Sequence, residues 1–514
     1  MLVYNPSFVI AIVILFILLT AVAMASIFGH RGKLRRNIVT TLYPDDCPIN
    51  YFPKFVASRS IMCYVVTLMI VSALFFTHVL PFQFMLFGFV AVVVFFEYSN
   101  RFTMRWKEYA PQIFTKKLFL TALLIRVAYM TFIYFYYIQM TGSPNAYYAG
   151  DEFFYESMAV GLCQDGFDMF VSDLLEDVAL SDSGYCWWLG IEYQVLGMNL
   201  YMVRLVKCLM DTFSCLLIYN LAERNFGEST ARIAAVFYML MPNMWYYCGV
   251  SLKECEMAFL TLFFVERGDL VLHSTKIRIK DMILPLLIII IMFTFRTALA
   301  SVMFAAFAGA LILSSGKQLP AWQKVVYGTI FGIWMFLTVG AEIVQETEQL
   351  WAGRTENQES GYQWRAERAG GNSFAKYASA SVFAPLIFTI PFSSMVYVYG
   401  QENQMMMNGA NFIKNIMSGF TIFAMFLLLF RGNWRQHVLP IAVTCGYLVV
   451  LVFSNFAHSE RFHFPILGLE LMFAAYGVTQ MTNRHKRWFN IWSVGVCVAN
   501  VLWALIKLRG RGLA

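Results

Sequence analysis

Two adjacent carboxylates, Asp151 and Glu152, lie in the stretch YYAGDEFFYESMAVGLCQDG (residues 147–166), directly after an apolar segment of the chain. A carboxylate can take the proton of a hydroxyl group and so raise the nucleophilicity of its oxygen, a general-base effect of about 10²- to 10⁴-fold. Ionisable groups beside membrane-length apolar segments are costly unless they have a function. Asp151 and Glu152 are therefore candidate catalytic residues.

Positive side chains lie at the ends of other apolar segments. They are Arg204, Lys207, Lys253, Arg296 and Arg461, with His458 and His463 near the last of them. Arginine holds phosphate oxygens with its fork of N–H donors, and lysine supplies a point charge. This set predicts a phosphate site, in which preorganised positive charge stabilises a departing phosphate. Glu254, Glu460 and Tyr155 are further candidates beside these residues.

The chain that carries these residues is too apolar for a soluble protein, with 59% hydrophobic and 13% charged residues over 514 positions. About 14 apolar runs approach the length of roughly 20 residues that a membrane-spanning helix requires. They include residues 8–27, 231–247 and 325–344. The runs are continuous rather than alternating, which indicates helices and not barrel strands. The sequence predicts an all-α integral membrane protein, a polytopic bundle of about 13–14 transmembrane spans.

Several other classes are disfavoured. The net charge of +7 does not indicate nucleic-acid binding, because Lys and Arg fall in short loops where the positive-inside rule explains them. Residues 8–27 are interpreted as a retained anchor, since the run is long and lacks the basic start of a signal peptide. The ten cysteines form no CxxC motif or Cys/His cluster, so no metal site is expected. Cys163 and Cys186 share one polar loop and could form a disulfide in an oxidising compartment.

The distribution of charge predicts the orientation of the chain. Residues 29–59 carry six Lys or Arg against two Asp, and residues 99–117 carry five against one Glu, so both segments are expected to be cytoplasmic. Residues 127–203 contain no Lys or Arg but ten acidic residues, which predicts a large outer loop that includes Asp151. Residues 378–411 are expected to dip into the membrane and return, which leaves residues 458–465 (HSERFHFP) on the outer side.

The acidic pair begins a segment with helical periodicity. In DEFFYESMAVGL, the apolar residues can form one face of an amphipathic helix that lies on the membrane surface and holds the pair at headgroup depth. These residues are Phe153, Phe154, Met158, Ala159 and Leu162.

Each candidate also has a purely structural interpretation. An Asp-Glu pair at a helix start is commonly a cap with a favourable dipole contribution. Arg204 and Lys207 could extend to lipid headgroups, Lys253 and Glu254 could form an interfacial ion pair, and the two histidines could be satisfied interfacial residues. The functional interpretation is favoured because several separate segments deliver matching charges to one side.

Three segments of the chain resemble the polytopic GT-C glycosyltransferases that use polyprenyl-phosphate sugars. They are GDEFFYESMAVGLCQDG, GYCWWLGIEYQVLGMNLYMVRLVKCLMDTFSCLLIYNLAERNFGESTARIAAVFYMLMPN and GVSLKECEMAFL, within residues 147–262. The similarity is to the branch with bacterial aminoarabinose and lipopolysaccharide-core sugar transferases and protein O-mannosyltransferases. SERFHFPIL is similar to a late Arg-aromatic-x-x-Pro stretch of these proteins. The resemblance implies that Asp151 is the base, with Glu152 beside it, and that Arg461 contacts the donor phosphate. It also places Arg204 at the start of the next span and Lys253 at the position of a charged outer residue.

The resemblance implies an enzyme that transfers a sugar from a polyprenyl-phosphate carrier to a hydroxyl of a glycan, lipid or protein. The expected location is a bacterial inner membrane, with the active site facing the periplasm. Expected partners are the lipid-linked donor, the acceptor and membrane lipids, and no nucleic acid. No cofactor is expected, and the chain has no Asp-x-Asp triplet to indicate a divalent metal, although outer carboxylates could hold one.

The sequence is expected to divide into four regions. Residues 1–117 form an N-terminal three-span extension, and residues 118–345 form a GT-C-like catalytic core with an outer loop at 141–200. Residues 346–411 form an outer or re-entrant region, and residues 412–514 form C-terminal transmembrane helices.

Two other functions share these features. A transporter or flippase for lipid-linked glycans would also bind phosphate at a charged mouth, but such proteins usually show related halves and broken mid-membrane helices, and the sequence shows neither. A polysaccharide polymerase would share the outer arginines and would use a pyrophosphate-linked oligosaccharide donor.

Overall fold

The computed structural model describes residues 49–165, 180–274, 279–313, 354–368, 370–454 and 456–513. Within these ranges the regular structure is helical, apart from one isolated antiparallel bridge between Val79 and Val396. The predicted all-α fold class is confirmed. The α-helices of the described residues are α1 (Lys54–Leu74), α2 (Phe82–Trp106), α3 (Pro111–Thr141), α4 (Gly150–Asp165), α5 (Leu180–Leu196), α6 (Leu200–Phe226), α7 (Glu228–Leu240), α8 (Pro242–Cys248), α9 (Glu254–His273), α10 (Ile279–Phe295), α11 (Thr297–Leu313), α12 (Arg354–Glu367), α13 (Ala380–Phe383), α14 (Glu402–Met406), α15 (Asn408–Phe430), α16 (Val438–Val452), α17 (Glu460–Thr479) and α18 (His485–Arg509).

Eight helices of the described residues are long and apolar enough to cross a membrane. They are α1, α2, α3, α6, α15, α16 with the turn before it, α17 and α18, and α11 is a shorter apolar helix. This confirms an integral membrane protein. Two of the expected spans, residues 8–27 and 325–344, lie outside the described residues, as do parts of the expected outer loop (166–179) and of the region after residue 346.

One expected span is wrong. Residues 231–247 form two helices, α7 and α8, which are separated at Met241 (φ −68°, ψ 118°). Pro242 lacks a backbone N–H and pushes the residue before it into an extended conformation, which interrupts the helix. Every residue from Thr230 to Cys248 is buried, so this run is part of the protein core rather than a lipid-facing span.

Helix α17 is the centre of the bundle. Its most apolar stretch is 89% buried, against 33% for α1, α2 and α18 at the periphery. A Cβ atom added at Gly477 would lie 2.3 Å from the backbone oxygen of Phe420, which shows how closely α17 approaches α15. Because α17 also packs against α7, α9 and α16, its first turn is held in a fixed position relative to the rest of the core.

A helix begins at the acidic pair, as predicted, but its apolar residues do not share one face. Ala159 and Leu162 are buried on the side that packs against α5, whereas Phe153 and Phe154 are 52% and 39% exposed. Helix α4 is therefore anchored to α5 through one face and presents its first phenylalanines to the surroundings on another.

The two ends of the bundle are held by different sets of charged residues. At one end, Arg232 of α7 donates to the carbonyl oxygens of Trp106 and Tyr109, both at 2.6 Å, and Arg224 pairs with Glu266 and Asp269. These contacts hold the C-terminal ends of α2, α6 and α9 and the first turns of α7 at one end of the bundle. The opposite end gathers residues 142–151, 249–254, 295–297 and 456–461, which carry most of the candidate site residues.

Residues 389–393 insert between α15 and α18. The amide of Asn415 donates to the carbonyl oxygen of Pro391 at 2.9 Å, and the backbone N–H of Ser393 donates to Oδ1 of Asn500 at 2.7 Å. The segments before and after this insertion both contact the C-terminal end of α18. The backbone N–H of Ser373 donates to the carbonyl oxygen of Gly510, and Oε1 of Gln401 accepts from Nζ of Lys507.

Candidate active site

Arg461, in the first turn of α17, is the centre of a cluster of charged side chains. Its Nη1 atom donates to Oδ2 of Asp151, and its Nε atom donates to Oε1 of Glu254. Helices α4, α9 and α17 therefore meet at their N-terminal ends, where the positive end of each helix dipole favours carboxylates. We call Asp151, Glu254, Arg296 and Arg461 the charged cluster.

The two carboxylates of the charged cluster differ in exposure. The side chain of Asp151 is 60% exposed, that of Arg461 is 20% exposed and that of Glu254 is fully buried. A second oxygen of Glu254, Oε2, has no hydrogen-bond partner among the described residues. Asp151 is thus the accessible carboxylate, and Glu254 is an internal anion that requires positive neighbours.

Arg296, in the turn between α10 and α11, is the second cation of the cluster. Its Nη2 atom lies 3.9 Å from Oε1 of Glu254, and its Nη1 atom donates to the hydroxyl of Tyr447 at 3.1 Å. The guanidinium carbon lies 4.3 Å from the ring centre of Phe462, a cation–π contact that fixes its plane. Glu254 therefore stands between two arginines from different parts of the chain.

Lys253 points away from Glu254 and pairs with Asp182 of α5. Its Nζ atom donates to Oδ1 of Asp182 and, at 2.6 Å each, to the carbonyl oxygens of Ser181 and Phe295. Burial raises the pKa of Asp182, but the Lys253 amine outweighs it and holds that pKa below its ordinary value. The hydroxyl of Tyr155 donates to the same carboxylate at 2.9 Å. The pair joins α4, α5 and the end of α10.

Glu152 is buried, in contrast to Asp151. Its two oxygens accept from the backbone N–H groups of Ala146 (3.2 Å) and Ser251 (2.8 Å), and the Nη2 atom of Arg204 lies 3.5 Å away. Burial raises the pKa of Glu152, and Arg204 opposes this. The side chain joins the loop before α4 to the loop before α9.

Arg204 and Lys207 are enclosed in the same framework. Arg204 donates to the carbonyl oxygen of Pro144 at 2.9 Å, and Lys207 donates to that of Val250 at 3.0 Å and to the hydroxyl of Tyr185 at 3.1 Å. Neither side chain is exposed. Both therefore support the loop at residues 249–253 and have no direct access to a ligand in this conformation.

The histidines and Glu460 lie at the start of α17. The Nε2 atom of buried His463 lies 2.8 Å from the carbonyl oxygen of Ala457. The ring of His458 packs near those of Tyr362 and Phe383, and burial lowers its pKa to about 3, so it is neutral. His458 therefore packs against residues 362–383, and His463 contacts Ala457. Neither of these contacts involves Asp151.

Cys163 and Cys186 are free thiols in the structure, and no disulfide joins them. Among the described residues, no three His, Cys, Asp or Glu side chains are grouped as metal ligands would be.

Sequence reasoning missed three residues that contact the predicted ones. Asp182 lies among many acidic residues of its loop, and Tyr447 lies inside an apolar run, so neither had a distinguishing signal. Phe462 directly follows Arg461, and its place in an Arg-aromatic pair could have indicated a cation–π contact.

The charged cluster has the parts of a transferase site at a membrane surface. The exposed carboxylate of Asp151 is bonded to the guanidinium of Arg461, and a second guanidinium, that of Arg296, lies beside the buried Glu254 that Arg461 also contacts. Such a carboxylate can take a proton, and the guanidinium groups can bind the oxygens of a phosphate.

Comparison with known families agrees with this chemistry. Residues 184–341 match the family model of dolichyl-phosphate-mannose-protein mannosyltransferases, and residues 374–510 match that of the Alg9-like mannosyltransferases. The first match contains Glu254 and Arg296, and the second contains Arg461, whereas Asp151 lies outside both. The search of curated proteins and that of solved structures gave no match.

Both matching families are GT-C mannosyltransferases that depend on a polyprenyl-phosphate-linked sugar. The two matches support a membrane-bound glycosyltransferase of the GT-C type. The matches indicate transfer of a sugar from a polyprenyl-phosphate carrier.

Proposed function

We propose that the protein transfers mannose from a polyprenyl-phosphate carrier to a hydroxyl group of a glycan, lipid or protein acceptor, with Asp151 as the general base. We further propose that it resides in a bacterial inner membrane and that the charged cluster faces the periplasm. The sugar is suggested by the two mannosyltransferase matches. The orientation is supported by the basic residues at the opposite end of the bundle, which the positive-inside rule places in the cytoplasm.

The observation that carries this proposal is that Arg461 is shared between two carboxylates of unequal exposure. Its bond to buried Glu254 keeps the guanidinium in place, whereas its bond to Asp151 lies at the surface. An exposed ion pair contributes only about 0–1 kcal/mol. A donor phosphate can therefore replace Asp151 on Arg461 at little energetic cost and leave the Asp151 carboxylate available to the acceptor.

The proposed reaction is a single displacement. The acceptor hydroxyl gives its proton to the Asp151 carboxylate, and its oxygen forms a bond to the anomeric carbon of the sugar. The bond from that carbon to the phosphate oxygen breaks, and the electron pair leaves with polyprenyl phosphate. Arg461 and Arg296 stabilise the negative charge that accumulates on the phosphate. One displacement inverts the configuration at the anomeric carbon.

The remaining predicted residues act as positioning residues in this proposal. Glu152, Arg204 and Lys207 hold the loop before α9, and Lys253 holds α5 against the end of α10. Glu254 and Arg296 thereby keep their distances to Arg461. A shift of about 1 Å in such groups is enough to lower the rate about 10²-fold.

The test is turnover by Asp151→Asn protein in nanodiscs with polyprenyl-phosphate mannose. We expect the release of polyprenyl phosphate to fall by at least about 10²-fold, with unchanged elution in size-exclusion chromatography. Glu108→Gln is the matched control, because Glu108 is 85% exposed at the opposite end of the bundle, and it should retain wild-type turnover. Wild-type turnover in Asp151→Asn would refute the assigned base. Movement of the donor across the bilayer without release of polyprenyl phosphate would identify a flippase instead.

The orientation has its own test. Tyr148 is 64% exposed close to Asp151, so Tyr148→Cys should react with a membrane-impermeant maleimide in intact spheroplasts. Glu108→Cys should react only after permeabilisation. The reverse pattern would place the charged cluster in the cytoplasm and contradict the proposal.

A further inference from the structure

A cavity of about 820 Å³ lies between α12 and residues 373–381, at the same end of the bundle as the charged cluster. Its volume is within the range of about 300–1,000 Å³ that is usual for small-molecule sites. Glu359, Gln363 and Glu367 line it at four-residue spacing and so share one face of α12. Tyr377 and Ser379 lie across from them.

The lining combines carboxylates, an amide, hydroxyl groups and aromatic rings. Gln363 donates to Glu367 at 2.8 Å, so these side chains are already aligned with each other. Tyr362 forms part of the wall and is fixed by a bond from its hydroxyl to the carbonyl oxygen of Ser454 at 3.2 Å. Tyr377 also lines the cavity and is 65% exposed. Acceptors, donors and aromatic rings together suit a ligand with many hydroxyl groups and apolar C–H faces.

A row of aromatic and guanidinium groups connects the cavity with the charged cluster. Arg365 stacks between Tyr362 and Phe456, at 5.6 and 5.4 Å from their ring centres. Phe456 stacks on Phe462 at 4.1 Å with parallel rings, and Phe462 supports the guanidinium of Arg296. A chain-like ligand in the cavity can therefore extend along this row toward Asp151.

We infer that this cavity binds the acceptor as a neutral oligosaccharide, with its terminal sugar at the charged cluster and the preceding sugars between α12 and residues 373–381. The inference rests on the proposed function and narrows its acceptor from glycan, lipid or protein to a glycan. The lining contains two glutamates and one lysine, Lys376, so its excess of negative charge disfavours an anionic chain. The carboxylates and amide disfavour an acyl chain, because their burial under it would leave polar groups unpaired.

The kinetic test compares acceptors of different length. Full-length protein in nanodiscs is assayed with polyprenyl-phosphate mannose as the donor. The acceptor is either methyl mannoside or one of three neutral tetrasaccharides: mannotetraose, maltotetraose or chitotetraose. We expect kcat/KM for one tetrasaccharide to exceed that for the monosaccharide at least about tenfold, and Tyr377→Ala and Gln363→Ala to remove this preference. The matched control is Trp364→Ala, a 60% exposed aromatic of α12 outside the lining, which should keep the preference. Equal rates for both lengths, or an unchanged preference in both cavity variants, would overturn the inference.

A binding test separates this inference from the reaction itself. Saturation-transfer NMR on the Asp151→Asn protein should show contact with a neutral tetrasaccharide and no contact with tetragalacturonate, since catalysis is not needed for either signal. Tyr377→Ala in the same background should lose the signal. If no acceptor releases polyprenyl phosphate but this binding is present, the proposed function fails and the cavity assignment stands. Absence of binding for all three neutral tetrasaccharides overturns the cavity assignment alone.

Discussion

Replacement of Arg461 by methionine removes the positive charge that two carboxylates share. Glu254 is fully buried, and its remaining cation, Arg296, lies 3.9 Å away. Removal of one partner from a buried ion pair costs about 3–5 kcal/mol because the other charge stays buried. The bond to Asp151, which is 60% exposed, adds only about 0–1 kcal/mol. We therefore expect Arg461→Met to lower the free energy of unfolding by about 3–5 kcal/mol.

The double variant Glu254→Gln/Arg461→Met tests the origin of that loss. It contains no unpaired buried carboxylate, so we expect a loss of only about 1–2 kcal/mol relative to wild type. The double variant should then be about 2–3 kcal/mol more stable than Arg461→Met alone, and the coupling energy is that difference plus the loss caused by Glu254→Gln alone. The free energies are measured by unfolding with SDS in mixed micelles, followed by circular dichroism and tryptophan fluorescence.

A surface pair provides the control for this cycle. Arg101 pairs with Glu97 one turn away and is 62% exposed, so Arg101→Met should cost at most about 0.5 kcal/mol. Additive losses for Glu254→Gln and Arg461→Met, or a double variant less stable than Arg461→Met alone, would refute the reasoning. The buried carboxylate of Glu254 would then not depend on Arg461, and the anchoring of Arg461 would require another cause.

Two further predictions concern stability away from the charged cluster. Burial, reinforced by Glu256, raises the pKa of Glu192 from 4.5 to about 8. The folded state therefore loses stability as the pH rises through this window. Above pH 8, Glu192→Gln should be more stable than wild type by up to several kcal/mol, at about 1.4 kcal/mol per pKa unit. This advantage should vanish below pH 4.5 in urea or SDS titrations, and an advantage independent of pH would contradict the assignment. A Cβ atom at Gly409 would lie 2.4 Å from the backbone oxygen of Gly88, so Gly409→Ala should lower stability by about 1–3 kcal/mol. Gly495→Ala, which meets no atom within 4 Å, should be neutral or stabilising in the same thermal melts, and equal effects at both positions would contradict the close contact of α15 and α2.

The fold class could be predicted because the membrane imposes a simple rule: long apolar runs must form helices that satisfy their own backbone bonds. The same rule fails for residues 231–247, which are apolar because they are core and not because they face lipid. Hydropathy does not distinguish these two environments. Pro242 marked the interruption, but its effect depends on whether neighbouring helices compensate for the lost backbone bond.

The sequence predicted that the charged residues lie together at one end of the bundle, but not which residues each of them contacts. Charge asymmetry assigns whole loops to one face of a membrane, and Asp151, Arg296 and Arg461 do lie at one end of the bundle. Lys253 and Glu254 are adjacent in sequence, which suggested a mutual ion pair, yet they bond to Asp182 and Arg461. Neighbouring residues at a helix start point in different directions, so their partners depend on which helices pack around them. No local pattern contains that information.

The two bonds of Arg461 have different consequences in the proposed reaction because they differ in burial. If both carboxylates were exposed, Arg461 would have no fixed position when the donor arrived, and the entropy of ordering it would oppose binding. If both were buried, release of Asp151 would leave an unpaired internal charge and would cost several kcal/mol. In the observed arrangement the buried bond to Glu254 stays in place, and only the exposed bond is exchanged. As the leaving phosphate becomes more negative, its attraction to Arg461 and Arg296 increases, so the same guanidinium that restrains the base in the empty site stabilises the leaving group during transfer.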